Sequence, residues 1–111
     1  METTITNYKH CDLVKIKGRI DSATAPQFAD TIQSITDQGR FKLALDISEL
    51  DFISSAGLRV LINTQKTCKR YNRGEVVLAG VPKNIYAALD LSGFTQLFQI
   101  FDDVTGAVGN F

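Results

Sequence analysis

The stretch from Phe41 to Ile47 reads Phe-Lys-Leu-Ala-Leu-Asp-Ile, a run too continuously apolar for a strand that turns one face to water. A strand of this kind needs cover on both faces. It therefore belongs in the middle of a sheet, with helices packed around it. Residues 54–73 supply the longest helical pattern, with Leu58, Leu61, Gln65 and Cys68 on one stripe and Val60, Thr64, Thr67 and Tyr71 on the next. Gly74 ends it.

The remaining elements arrange themselves around this unit. Residues 4–9 and 13–20 flank the polar turn His10-Cys11-Asp12 and predict a β-hairpin. In its second arm Val14, Ile16, Gly18 and Ile20 alternate with Lys15, Lys17 and Arg19, as in a strand with one solvated face near a sheet edge. Asp21 and Ser22 close that strand. Ala23 to Gln38 then carries Phe28, Ile32 and Ile35 at helical spacing, with Pro26 in the first turn and Gly39 as the stop. Val76–Ala79 predicts a short strand, Pro82–Leu89 a short helix, Leu97–Phe101 a last strand, and residues 104–108 a single helical turn. Helices between successive later strands imply an α/β fold: a mixed, mostly parallel sheet opened by an antiparallel hairpin.

At 111 residues the chain closes one hydrophobic core, so residues 1–111 are expected to form a single domain. Twelve basic and twelve acidic side chains cancel, which argues against general binding to nucleic acid or anionic lipid. No run approaches the ~18 to 20 apolar residues of a membrane-spanning helix, and the start lacks the order of a signal peptide. A cytoplasmic location is expected. Cys11 and Cys68 lie far apart without a CxxC pattern, so both read as reduced, small apolar fillers. His10 has no second imidazole to share a metal, and no metal or cofactor is expected.

Motifs for nucleotide, metal-protease or serine-hydrolase chemistry are absent. A triad at Ser54 or Ser55 would have to recruit His10 from the far end of the chain. An enzyme is not expected. The segment Ile53-Ser54-Ser55-Ala56-Gly57-Leu58 nonetheless joins a core strand to the longest helix. A serine there caps the helix by accepting a free backbone N–H. Capping leaves Gly57 unexplained, since a glycine inside a helix costs about 1 kcal/mol relative to alanine. One reading is that Ala56-Gly57 keeps the helix start bare for a closely approaching partner, so that Gly57→Ala should preserve or raise stability. Successive helix residues turn about 100° apart. Ser54 is thus expected as the cap and Ser55 as the projecting hydroxyl, where a phosphate would add about −1.5 to −2 charges against a docking surface.

Several motifs in order, Gly18-Arg19-Ile20-Asp21, Leu45-Asp46, Asp51 to Leu58, Gly74 and Leu91-Ser92-Gly93-Phe94, give a chain that resembles the STAS domains. Among these it is similar to the bacterial stand-alone anti-sigma factor antagonists. The resemblance implies a partner switch: the unmodified antagonist binds an anti-sigma factor serine kinase and frees a sigma factor, the kinase phosphorylates one serine, and a metal-dependent serine phosphatase restores binding. Carried over by position, the phosphoserine is Ser55, and Asp21, Ser54, Ala56, Gly57 and Leu58 join it in the partner-binding set. Many members carry Asp where this chain has Ser54, and Ser or Thr where it has Ala56. Asp21 reads equally as a turn or cap residue. Asp46, Glu49 and Asp51 read either as a solvated loop or as an acidic approach to Ser55. The alternative function is an unswitched STAS scaffold or a ligand-sensing module.

Overall fold

The computed structural model describes residues 1–70 and 74–111. Its five strands are β1 (Glu2–Asn7), β2 (Asp12–Ile20), β3 (Lys42–Ile53), β4 (Glu75–Ala79) and β5 (Gln99–Phe101), hydrogen-bonded in sequence order. Only the β1–β2 pair is antiparallel. The helices are α1 (Ala25–Thr36), α2 (Ser55–Arg70), α3 (Lys83–Leu91) and α4 (Val104–Gly109), with a 3-10 turn at Thr95–Leu97. This is the mixed sheet opened by a hairpin, with β3 at its centre.

The two faces of the sheet are covered unequally. Val14, Ile16, Leu43, Leu45, Val76 and Leu78 meet Phe28, Ile32 and Ile35 of α1, Leu61 and Cys68 of α2, and Ile85 and Leu89 of α3 in the main core. On the other face, Ala44, Val77 and Ala79 pack with Ala107 of α4, beside Leu13 and Phe101. Small side chains there let a six-residue helix lie close to the sheet.

β2 lies one strand in from the edge, bonded to β1 on one side and β3 on the other. Two expectations are corrected. β3 runs six residues past Ile47, to Ile53, because Leu50 and Ile53 continue the buried face while Ser48, Glu49 and Asp51 point to water. Asp46, Glu49 and Asp51 are therefore strand residues rather than a loop. Asp46 is buried and accepts the Ser48 hydroxyl at 2.7 Å, and Glu49 pairs with Lys15 at 2.8 Å. The last strand is also shorter than expected, since residues 95–97 coil into the 3-10 turn before it. Tyr71 and Arg73, assigned to the long helix, lie outside the described residues.

Two polar devices in the core have no simple sequence signature. Asp12 is fully buried; its carboxylate accepts from Asn7 Nδ2 at 2.7 Å and from Arg40 Nε, while Arg40 Nη2 donates to the Tyr8 carbonyl at 2.7 Å. This ties the hairpin turn to the segment entering β3. Gln65, on the inward face of α2, accepts from the Val76 N–H at 2.7 Å and donates to the carbonyls of Val76 at 3.0 Å and Leu97 at 2.6 Å. Its carboxamide supplies to β4 the hydrogen bonds that a longer β5 would have made.

Gly74 is required by a close backbone approach. A Cβ at this position would stand 1.9 Å from the Phe41 carbonyl oxygen, so no other residue fits. Both cysteines are free and buried, and burial pushes the Cys68 thiol up to about 11.

A Gln65→Leu variant is expected to lose about 3 kcal/mol or more in urea unfolding, since three backbone groups lose their partner at about 1 kcal/mol or more each. Gln65→Glu should recover part of its deficit between about pH 7 and about pH 4. Only the protonated acid donates to a carbonyl there, so its pKa is raised on folding and the penalty belongs to the ionised form.

Candidate functional site

The site lies where β2 and β3 end side by side. Ile20 and Ile53 are directly paired in parallel register. The next residue, Ser54, donates its N–H to the Ile20 carbonyl at 2.8 Å, so the start of α2 is anchored to the end of β2. Ser54 Oγ accepts the Gly57 N–H at 3.3 Å, and its carbonyl accepts the Leu58 N–H at 2.9 Å. Ser54 is the N-cap, as expected. Its hydroxyl is committed to the helix, while Ser55, the first helical residue, is exposed.

Gly57 departs from expectation. It is buried, and an ideal Cβ there would lie 2.7 Å from Ile20 Cγ2 and 2.7 Å from Ile53 Cγ1. The glycine does not leave a bare surface for a partner. It lets the helix rest on the paired isoleucines, because two steps of about 100° from the exposed Ser55 bring position 57 to the inner side. Leu58 is 7% exposed and belongs to the main core. Of the predicted partner-binding set, Ser55 is exposed, Ser54, Ala56 and Asp21 are half-buried, and Gly57 and Leu58 face inward.

Asp21 performs the turn role. Its Oδ1 accepts the N–H groups of Ala23 and Thr24, both at 3.0 Å, and its own N–H donates to Thr24 Oγ1 at 2.9 Å. Arg19 Nε stands 3.3 Å from Oδ2. The Thr24 backbone N–H above all, with further bonds from Thr24 and Ala23 and the Arg19 charge, holds this carboxyl below the usual range. The Asp21 side chain is partly open to solvent beside Arg19, whose guanidinium lies 5.1 Å from the centre of the exposed Phe52 ring.

Arg59 was not singled out by the motifs. It is exposed one helical turn beyond Ser55, and both line a groove between α2 and the turn holding Ser92 and Phe94. Spacing of four on a helix and the absence of any acid on α2 were the available signals. Among the described residues no cluster of three His, Cys, Asp or Glu could hold a metal, and no helix is long and apolar enough to cross a membrane.

The STAS domain family model matches residues 3–107, and the chain belongs to this family. It is 31% identical to BtrV of Bordetella bronchiseptica over 96 residues, 86% of this chain and 82% of the relative. It is 25% identical to the anti-sigma-B factor antagonist of Listeria monocytogenes over 91 residues, 82% of this chain and 78% of that one. The fold matches that of the anti-sigma factor antagonist SpoIIAA in its unphosphorylated form with a TM-score of 0.83 at 12% identity, covering 98% of this chain and 95% of the other. The phosphorylated form of SpoIIAA, a Bacillus cell fate determinant, matches with a TM-score of 0.77 at 13% identity, covering 98% of each chain. At these identities the two SpoIIAA structures establish the fold.

Three outcomes are expected here. Gly57→Ala should lower stability in urea unfolding, because overpacking a core contact costs about 1 to 3 kcal/mol and outweighs a helix gain of about 1 kcal/mol. Ser54→Ala should cost about 1 kcal/mol for the lost cap. Because the Asp21 pKa is depressed on folding, its contribution is present above the unfolded carboxylate range and lost as pH falls through the folded value. Melting temperatures of the native chain and Asp21→Asn should therefore converge toward acid pH.

Proposed function

We propose that the chain is an anti-sigma factor antagonist working by partner switching in the cytoplasm. Unmodified, it binds an anti-sigma factor serine kinase and frees a sigma factor. Phosphorylation of Ser55 ends that binding, and a serine phosphatase restores it. The ATP and the metal of these reactions belong to the partners. The observation that carries this reading is the division of labour at the helix start: the Ser54 hydroxyl is spent on the Gly57 N–H, whereas the Ser55 hydroxyl is exposed on a rigid first turn. The names of its relatives and the two recorded states of SpoIIAA support it.

A phosphate at Ser55 would act by charge. The helix start tolerates an anion, so the domain keeps its fold while a desolvated interface meets about −1.5 to −2 charges. Asp21, Ser55 and Ala56 would touch the partner, and Ser54, Gly57 and Leu58 would hold the surface in place from behind.

Ser55→Asp is expected to weaken binding to the anti-sigma kinase by more than about tenfold in calorimetry with an unchanged circular dichroism spectrum, and Ser55→Ala to bind as the native chain does. Equal affinities for the aspartate and native forms would end the charge-exclusion mechanism. Fragment-ion mapping after incubation with kinase and ATP should find phosphate on Ser55 alone. A phosphate on Ser54 would overturn the assignment.

A further inference from the structure

The formal charge of the chain is zero, yet α2 carries Arg59, Lys66, Lys69 and Arg70 and no acidic residue. Along its outer side runs the groove beside Ser55, with a volume of about 400 Å³. The half-buried Ile62 and Phe94 form an apolar floor, backed by the buried Leu58, and Arg59 and Lys66 stand exposed along the rim. Among the described residues neither rim cation has an ion pair. Leu91, just before the turn that forms the opposite wall, is 90% exposed.

We propose that this groove is a docking surface for an acidic amphipathic helix of the protein partner, and that Arg59 couples that docking to the state of Ser55. The second half rests on the reading of Ser55 given above. An apolar floor with cations along its rim complements a helix that has leucine-like residues on one face and carboxylates on its flanks. A second copy of this chain is a poor occupant, since its own α2 would bring the same cations face to face. Nucleic acid is disfavoured too, because an apolar floor with two rim cations offers few phosphate contacts.

Arg59 follows Ser55 by four residues, so the two side chains are surface neighbours about 6 Å apart at Cβ. A phosphate on Ser55 is within reach of the guanidinium fork, which binds phosphate oxygens in pairs. Captured in this way, Arg59 is withdrawn from the partner's carboxylates. The phosphate also brings the two positive charges of the rim to about zero. Phosphorylation would thus compete for the docking cation in addition to obstructing the interface.

The test uses the full chain and a fluorescein-labelled helical peptide of about sixteen residues with Leu on one face and Glu on its flanks, read by anisotropy. The acidic peptide should bind at least about tenfold more tightly than its Gln counterpart, with Arg59→Gln losing about tenfold and Lys66→Gln weakening docking as well. Phosphoserine incorporated at position 55 should lose more than about tenfold, and the loss should be measurably smaller in the Arg59→Gln background, where the share that comes from capturing Arg59 is already gone. In ³¹P spectra the second phosphate pKa should rise on Arg59→Gln and stay put on Lys66→Gln. Equal binding of the Glu and Gln peptides, tighter binding of a single-stranded oligonucleotide, or an Arg59→Gln variant with unchanged affinity and unchanged phosphate pKa would overturn the proposal. Because phosphoserine is built in, a cellular phosphate mapped to another residue would defeat the partner-switch reading and leave the peptide result intact.

Discussion

The contact of Gly57 with Ile20 and Ile53 fixes the geometry of everything at the carboxyl end of the sheet. Two parallel strands end in register, their terminal isoleucines form a shelf, and the first turn of α2 rests on it without an intervening side chain. The Ser54 N–H bond to the Ile20 carbonyl fastens the same junction through the backbone. A hydroxyl one residue further on therefore has little freedom of position, and Ser55 projects from a turn held at two points. A surface presented in this way can bind without first being ordered, which removes part of the entropic cost of association.

The architecture was legible where hydrophobic period decided it. The run at Phe41–Ile47 identified the central strand, and the stripe at Leu58, Leu61, Gln65 and Cys68 identified the buried side of α2. It failed where a local pattern was overruled by distant contacts. The polar stretch after Ile47 looked like a loop because its acids could not be seen to have partners; β2 provides Lys15 for Glu49, and continued pairing carries the strand to Ile53. Asp12 and Arg40 are 28 residues apart, and nothing local marks either as half of a buried pair.

At the site the same division holds. Helix geometry separated the roles of Ser54 and Ser55, since capping is decided within a few residues. The role of Gly57 is not decided locally, for the opposite reason. A glycine near a helix start is compatible with an open outer surface or a crowded inner one, and only the positions of Ile20 and Ile53, one of them 37 residues away, distinguish the two. Asp21 shows that a turn function and an ion pair can coexist in one carboxylate, because Oδ1 carries the turn and Oδ2 meets Arg19 at the surface.

The Gln65 carboxamide also bears on how the sheet meets other chains. An exposed strand margin is a template for unwanted pairing wherever its N–H and carbonyl groups are unclaimed. At Val76 both groups are claimed by a side chain, and the adjoining β5 is only three residues long, so this margin offers an incoming strand very little backbone. The opposite margin has no such closure: β1 presents six residues, five of them exposed. The sheet thus has one sealed side and one open side, and strand exchange or fibril-like growth from the folded state would have to begin at β1.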